Sequence, residues 1–273
     1  MYGIELGVLY RGERELCFLP LAHAYSCAFN FLVPMAVGAH VYLLGKVPSP
    51  KILLKAFEEV KPNLILTVPL ILEKIYKKMI LPQLSKTTMK VALNIPLLDS
   101  RIYAQIRKKL VDAFGGRFRE VIVGGAAMNE EVTNFLYKIK FPFTIGYGMT
   151  ECGPLISYDH NDEYVPGSCG QILKGIMKVR IDSEDPYNKV GEIQVSGENV
   201  MKGYYKNEEA TKAVLDEDGW LHTGDMGTIS ADGTIFIKGR SKTMILTSNG
   251  QNIYPEEIED ILNNHPNIKE SLV

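Results

Sequence analysis

Between Leu16 and about Tyr147, short apolar runs alternate with longer segments in which apolar residues recur every three or four positions and charged residues fill the opposite face. Short uninterrupted runs suit strands buried on both faces, and the three-and-four spacing suits amphipathic helices packed on a sheet. The runs predict strands at Cys17–Leu21, His40–Leu44, Leu64–Thr67, Glu120–Val123 and Phe143–Ile145. The periodic segments predict helices over Pro50–Val60, Pro69–Leu81, Leu98–Phe114 and Asn129–Ile139. Strand and helix taken in turn point to an α/β fold with a parallel sheet and flanking crossover helices.

After Tyr158 the texture changes to glycine-punctuated, alternating segments such as Gly191-Glu-Ile-Gln-Val-Ser. Gly227 to Ile237 reads as a hairpin with Ala231-Asp232-Gly233 at its turn, so a smaller antiparallel β region follows the parallel sheet. Beyond Gly239-Arg240-Ser241-Lys242 the pattern gives a strand, a polar glycine-containing loop, and a helix opening at Pro255 with Glu256 and Glu257 in its first turn. The divisions expected are therefore 1–158 for the α/β part, 159–240 for the β-rich part, and 241–273 for the beginning of a small α+β unit. A helix and two strands make a poor core alone, so loose packing is expected after Lys242.

Composition narrows the partners. With 30 basic and 32 acidic residues spread along the chain, no basic stripe exists to neutralise nucleic-acid phosphates, and a nucleic-acid partner is not expected. Cys17, Cys27, Cys152 and Cys169 form neither Cys-x-x-Cys pairs nor a disulfide scaffold, which fits a reducing, cytoplasmic setting. Leu16 to Gly45 contains no Asp, Glu, Lys or Arg, yet Pro20, Asn30, Pro34, Gly38 and His40 interrupt it. It parses as strand, loop, buried helix and strand rather than as a membrane span. Peripheral membrane contact and oligomerisation are left open.

Two segments carry candidate chemistry. Val121-Ile-Val-Gly-Gly-Ala-Ala-Met and Phe143-Thr-Ile-Gly-Tyr-Gly-Met-Thr-Glu both end predicted strands in glycine-rich turns at the same sheet edge. Ligands of open parallel sheets bind beyond the carboxyl ends of strands, where glycine admits them to the backbone. Tyr147 can offer a ring to a base, Thr150 a hydroxyl to a phosphate, and Glu151 a hard oxygen to Mg²⁺. The plainer reading is a turn with a capping Thr-Glu. In Gly219-Trp-Leu-His-Thr-Gly-Asp225 a carboxylate follows a turn, where it can accept ribose hydroxyls, and Arg240 can reach the same sugar and its phosphate. Alone, these would read as a turn aspartate and solvated surface cations.

Taken in order, Phe18-Leu-Pro-Leu-Ala-His, Gly124-Gly-Ala, Tyr147-Gly-Met-Thr-Glu, Gly191-Glu-Ile, Gly203-Tyr-Tyr, Thr223-Gly-Asp and Gly239-Arg-x-Lys closely resemble the adenylate-forming superfamily of acyl-CoA synthetases, adenylation domains and luciferases. The resemblance implies that Tyr147 stacks on adenine, with Gly148 and Met149 beside it in the nucleotide-binding turn. Thr150 would meet phosphate and Glu151 would bind Mg²⁺. It further implies that Gly124, Gly125 and Ala126 line the adenine and acyl pocket, that Asp225 holds the ribose hydroxyls, and that Arg240 contacts ribose and phosphate. Lys242 falls at the hinge between a large and a small domain. His23 falls at the mouth of the carboxylate pocket, its plainer reading being a satisfied histidine at a strand end. The implied substrates are ATP, a carboxylic acid and coenzyme A.

Two family segments have no counterpart here: a Lys-bearing phosphate loop upstream of Phe18, and a lysine late in the small domain. The expectation is a fragment of a longer enzyme, inactive alone. No aspartate stands within Leu19–Ser26 to pair an amino-acid amine, and Tyr25, Phe29, Ile145 and Met149 are apolar pocket candidates. Thr247-Ser-Asn-Gly-Gln-Asn-Ile-Tyr-Pro-Glu-Glu-Ile-Glu resembles long-chain fatty acid–CoA ligases. A fatty acid is thus the favoured substrate. An aryl or fatty acid loaded onto a carrier-protein thiol is one alternative, and a non-catalytic nucleotide-binding module is another.

Overall fold

The computed structural model describes residues 5–95, 98–246, 252–265, 267–268 and 271–273. They form two compact units, one running to Ile145 and including His160–Pro166, the other comprising Gly146–Asp159 and the chain from Gly167 onward.

The first unit is built on a five-stranded parallel sheet in the order β2-β1-β3-β4-β5, with β1 at Arg14–Cys17, β2 at His40–Leu43, β3 at Leu64–Thr67, β4 at Glu120–Val123 and β5 at Phe143–Ile145. Every residue of β3, β4 and β5 is buried, as strands covered on both faces must be. Helix α1 is the short turn Ala24–Ser26 and α2 is Val33–Val37, joined by a π-helical stretch at Cys27–Leu32. Helix α3 spans Pro50–Val60, capped by Ser49, whose hydroxyl accepts the Ile52 amide. There follow α4 at Pro69–Ile75, α5 at Leu81–Leu84, α6 at Thr87–Leu93, α7 at Leu98–Ala113 and α8 at Glu130–Lys138, the last capped by Asn129. A ladder of rings fills the core, with Phe57 and Phe114 5.1 Å apart and Phe118 and Phe141 5.7 Å apart. Residues 160–166 join this unit because Glu120, only 3% exposed, faces His160 Nδ1 at 3.2 Å and accepts the Asn161 amide at 3.1 Å.

Three expectations need correction. The first strand lies at Arg14–Cys17, not Cys17–Leu21, because the chain buries Glu15 completely and breaks before Pro20, which has no N–H for a ladder. The helix expected over Pro69–Leu81 is instead α4, a π-helical stretch at Tyr76–Ile80, and α5 with Pro82 in its first turn. A proline there cannot donate to the preceding turn, so the straight α ladder is interrupted. The helix expected to be buried within Leu16–Gly45 turns Phe31, Leu32 and Met35 outward and buries only Ser26, Asn30 and Pro34. Among the described residues no helix is long and apolar enough to cross a membrane.

The second unit holds a four-stranded antiparallel sheet in the order β11-β10-β9-β8 and two smaller ribbons. Strands β6 (Tyr147–Gly148) and β7 (Leu155–Ser157) make one ribbon; β8 is Met177–Asp182 and β9 is Gly191–Gly197. Helix α9 at Glu208–Lys212 precedes β10 (Leu221–Ile229) and β11 (Ile235–Arg240), which pair across the expected turn at 231–233. Strands β12 (Ile245–Leu246) and β13 (Asn252–Ile253) pair, and α10 runs Pro255–Asn263. The polar loop expected at 247–251 lies outside the described residues. After Lys242 only Tyr254 and Pro255 are buried among the described residues. Tyr254 packs against Gly239, where a Cβ would come within 2.8 Å of its ring.

Candidate nucleotide site

In β10 the burial alternates, so Leu221, Thr223, Asp225 and Gly227 all face inward. The alternation brings a carboxylate into the interior, where Asp225 is 5% exposed. The Thr223 hydroxyl donates to the Ile193 carbonyl at 2.7 Å and accepts the Asp225 amide at 3.1 Å, fixing the backbone on which the carboxylate stands. Its Oδ2 accepts the Tyr147 hydroxyl at 2.7 Å, and its Oδ1 faces Arg240 Nε at 3.1 Å. Burial raises the carboxyl above the usual aspartate range, while Tyr147 and Arg240 pull it back and Glu192 adds to the rise. Tyr147, itself 7% exposed, is held well above the usual phenol range by burial first and the neighbouring Asp225 charge second. A carboxylate has about four lone-pair sites, so these two partners leave acceptor capacity for further hydroxyls.

The turn after Tyr147 is shaped by its glycine. A Cβ on Gly148 would stand 2.0 Å from the Pro154 carbonyl oxygen, and that same oxygen accepts the Met149 amide at 2.8 Å. Thr150–Cys152 then form a 3₁₀ turn with Thr150 exposed. Asn199 clamps the turn by donating to the carbonyls of Cys152 and Leu155 at 2.6 and 2.7 Å. Glu151 Oε1 accepts the Tyr204 hydroxyl at 2.8 Å, and the Glu151 carboxylate raises the Tyr204 phenol. No group of three or more His, Cys, Asp or Glu suited to a metal occurs among the described residues. One carboxylate beside a hydroxyl does fit Mg²⁺, which keeps several waters and binds through one or two carboxylates plus the phosphates of a nucleotide.

In the first unit, β4 ends at Val123 and runs into Gly124, Gly125 and Ala126. Gly124 is buried under Tyr25, whose ring would lie 3.4 Å from an added Cβ, and Gly125 takes a φ of +89°. The Tyr25 hydroxyl donates to the Ile122 carbonyl at 3.1 Å, tying α1 to the end of β4. His23 caps α1 with its ring nitrogen, accepting the Tyr25 amide at 3.3 Å. It is exposed, and it stands at the start of this helix rather than at a strand end, because β1 stops at Cys17. The structure thus groups Tyr147, Asp225 and Arg240 by direct contact, and separately groups His23, Tyr25 and Gly124. Lys242 follows β11 at the surface. Asn199, Tyr204, Glu192 and His222 had no assigned role in the sequence, although Gly191-Glu-Ile, Gly203-Tyr-Tyr and the segment from Gly219 to Asp225 contain three of them.

A five-stranded parallel sheet with flanking helices, followed in the chain by antiparallel sheets, is the fold of the adenylate-forming enzymes. The chain belongs to the family of AMP-binding enzymes, whose sequence pattern it matches over residues 3–205. It is 33% identical over 276 residues to 4-coumarate–CoA ligase CCL1 of Humulus lupulus, covering 97% of this chain and 44% of that protein. It is 29% identical over 273 residues to long-chain-fatty-acid–CoA ligase ACSBG2 of Gallus gallus, covering 91% of this chain and 35% of that one. Among solved structures, O-succinylbenzoate coenzyme A synthetase of Bacillus subtilis in complex with ATP and magnesium ion aligns at a TM-score of 0.74 and 25% identity, over 98% of this chain and 50% of that one. The chain spans less than half the length of these curated relatives.

Proposed function

We propose that this chain carries the nucleotide-binding part of an enzyme that activates a carboxylic acid with ATP and passes the acyl group to coenzyme A. The observation that supports this most is the buried carboxylate of Asp225 held between Tyr147 and Arg240. In this reading Asp225 accepts the ribose hydroxyls, Arg240 spans ribose and α-phosphate, and Tyr147 with Gly148 and Met149 borders the adenine. Gly124, Gly125, Ala126 and His23 of the first unit keep the nucleotide- and acyl-binding roles that the family resemblance implies. Lys242 serves as a hinge.

The first half-reaction joins an acid oxygen to the α-phosphorus and releases pyrophosphate; the second joins the acyl carbon to a thiol and releases AMP. A carboxylate is already ionised at pH 7, so the first half asks the protein for positioning and charge neutralisation rather than for a base. Thr150 would donate to phosphate, and Glu151 would hold Mg²⁺, which neutralises charge on the phosphates when bound. The chain's apolar candidates Tyr25, Phe29, Ile145 and Met149 favour a medium or long fatty acid, in a cytoplasmic enzyme. The 33% identity to a 4-coumarate–CoA ligase supports an aryl acid as the second reading.

The test is pyrophosphate release and acyl-CoA formation by the longer protein that contains this chain, across fatty acids of increasing length and 4-coumarate. Fatty acyl-CoA as the main product supports the first reading, and 4-coumaroyl-CoA the second. No acid-dependent pyrophosphate with any of them overturns both. This chain alone is expected to give none.

A further inference from the structure

Thr223-Gly224-Asp225 is not an ordinary piece of strand. Strand β10 pairs with β9 at Leu221↔Val195 and His222↔Gln194, and again at Met226↔Glu192 and Gly227↔Gly191. Between those pairs β10 advances four residues while β9 advances two, so the segment bearing the aspartate bulges out of the ladder. On the β9 edge the bulged residues lose their ladder partners, while Asp225 still pairs with Arg240 of β11 on the other, and a displaced backbone N–H inside a protein needs another acceptor. Here the acceptor is a side chain: Glu192 Oε1 takes the Gly224 amide at 3.1 Å, and Gly224 sits at a φ of +72°. The other oxygen of Glu192 is fixed in turn. It faces His222 Nδ1 at 2.8 Å and accepts Gln194 Nε2 at 3.3 Å, while Gln194 Oε1 accepts Arg180 Nε at 2.6 Å. Gln194 is buried and Glu192 is about one-fifth exposed at 22%, so the carboxylate has little room to turn.

We propose that Glu192 is the positioning residue for Asp225. By holding the Gly224 amide it fixes the shape of the bulge and therefore the direction of the Asp225 carboxylate, without touching the nucleotide itself. The inference rests on Asp225 being the ribose-binding group. Its charge is a liability, since a second carboxylate raises Asp225. What the bulge uses is the acceptor oxygen, and glutamine supplies one without the charge.

The experiment titrates the 273-residue chain with AMP and with 2′,3′-dideoxy-AMP and takes the ratio of the two dissociation constants in wild type, E192Q and E192A. Circular dichroism confirms the fold of each. Hydrogen bonds from hydroxyls to a charged acceptor predict a wild-type preference for AMP of roughly tenfold or more. E192Q should keep that ratio within about twofold and E192A should bring it below about threefold, a split that loss of stability alone does not produce. Should E192A fail to fold, E192D takes its place with the same expected loss, because it keeps the charge and withdraws the oxygen by one methylene. Hydrogen exchange at the Gly224 amide should be slow in wild type and E192Q and fast in the shortened variant. A folded E192A that retains the wild-type ratio overturns the inference while leaving Asp225 as the ribose group. A wild-type chain that binds both nucleotides equally overturns the ribose reading and the inference with it.

Discussion

The Tyr147 hydroxyl and the Asp225 carboxylate, 78 residues apart in sequence, are joined by a 2.7 Å hydrogen bond in the interior of the second unit. Each is at most 7% exposed, so each is the other's main compensation for leaving water. Tyr147→Phe removes the donor and leaves one oxygen of a buried carboxylate short. We expect a loss of about 1–3 kcal/mol in urea unfolding, with Asp225 titrating higher than in wild type because a lowering contact has gone. An unchanged midpoint and an unchanged Asp225 titration would show that the bond carries nothing.

Arg240 presents the opposite case. Its side chain is 61% exposed, and an ion pair so open to solvent contributes little to folding. Arg240→Ala should shift stability by less than about 1 kcal/mol, yet weaken AMP binding by roughly tenfold or more if the guanidinium meets the phosphate. Unfolding curves and an AMP titration on the same preparation separate the two effects; strong destabilisation with intact affinity would reverse the assignment.

Gly148→Ala should be severe. The new methyl would meet the Pro154 carbonyl at 2.0 Å, so the β6–β7 ribbon cannot close without moving backbone. We expect about 2 kcal/mol or more of lost stability, together with loss of AMP binding. Wild-type stability in this variant would mean that the ribbon is not held as described.

Asn199→Ala tests the support of the same turn. One amide nitrogen bridges the Cys152 and Leu155 carbonyls, and its removal should cost about 1–3 kcal/mol and speed amide exchange around Thr150–Leu155. Exchange rates that stay at wild-type values would place the restraint elsewhere.

Glu15 sets a pH dependence in the first unit. Burial pushes its carboxyl up to about 8, against a smaller lowering by the 2.6 Å bond from Asn30, and its second oxygen has no hydrogen-bond partner among the described residues. The native state therefore keeps a proton that the unfolded chain releases above its ordinary value of 4.5, and stability falls as pH rises from there to about 8. Glu15→Gln retains an acceptor for Asn30 and removes the titration. Urea midpoints measured between about pH 5 and pH 8 should fall in wild type and run flatter in the variant, which should be the more stable at the upper end. Parallel curves would count against a buried neutral acid.

Much of this architecture was legible because it rests on local pattern. Four apolar runs announced β2 to β5 to within a residue, although only β3 to β5 are buried, and helix α3 carried its own start in Ser49-Pro50. The strand at Arg14–Cys17 was misplaced because two charged residues, Arg14 and Glu15, sit inside it. Tertiary partners make that placement tolerable: Asn30 donates to the Glu15 carboxyl, and the Val60 carbonyl accepts from the Arg14 guanidinium. The helix expected after Pro69 stopped at Leu81, before Pro82, and the π-helical stretch leading into that proline left no mark in the three-and-four spacing. In the site, Tyr147 and Asp225 could be named as candidates from their motifs. Their contact could not, since it depends on how a ribbon and a sheet far apart in sequence are folded together. Asn199 and the Glu192 clamp were invisible for a related reason: each acts on backbone groups, and no residue pattern reports which amides a bulge or turn has left without partners.

The most direct test of the adenosine site is a calorimetric titration of this chain with AMP, wild type against Asp225→Asn. The account predicts saturable one-to-one binding by the wild type and an affinity at least about tenfold lower in the variant. Equal affinities, or no binding by the folded wild-type chain, would contradict it.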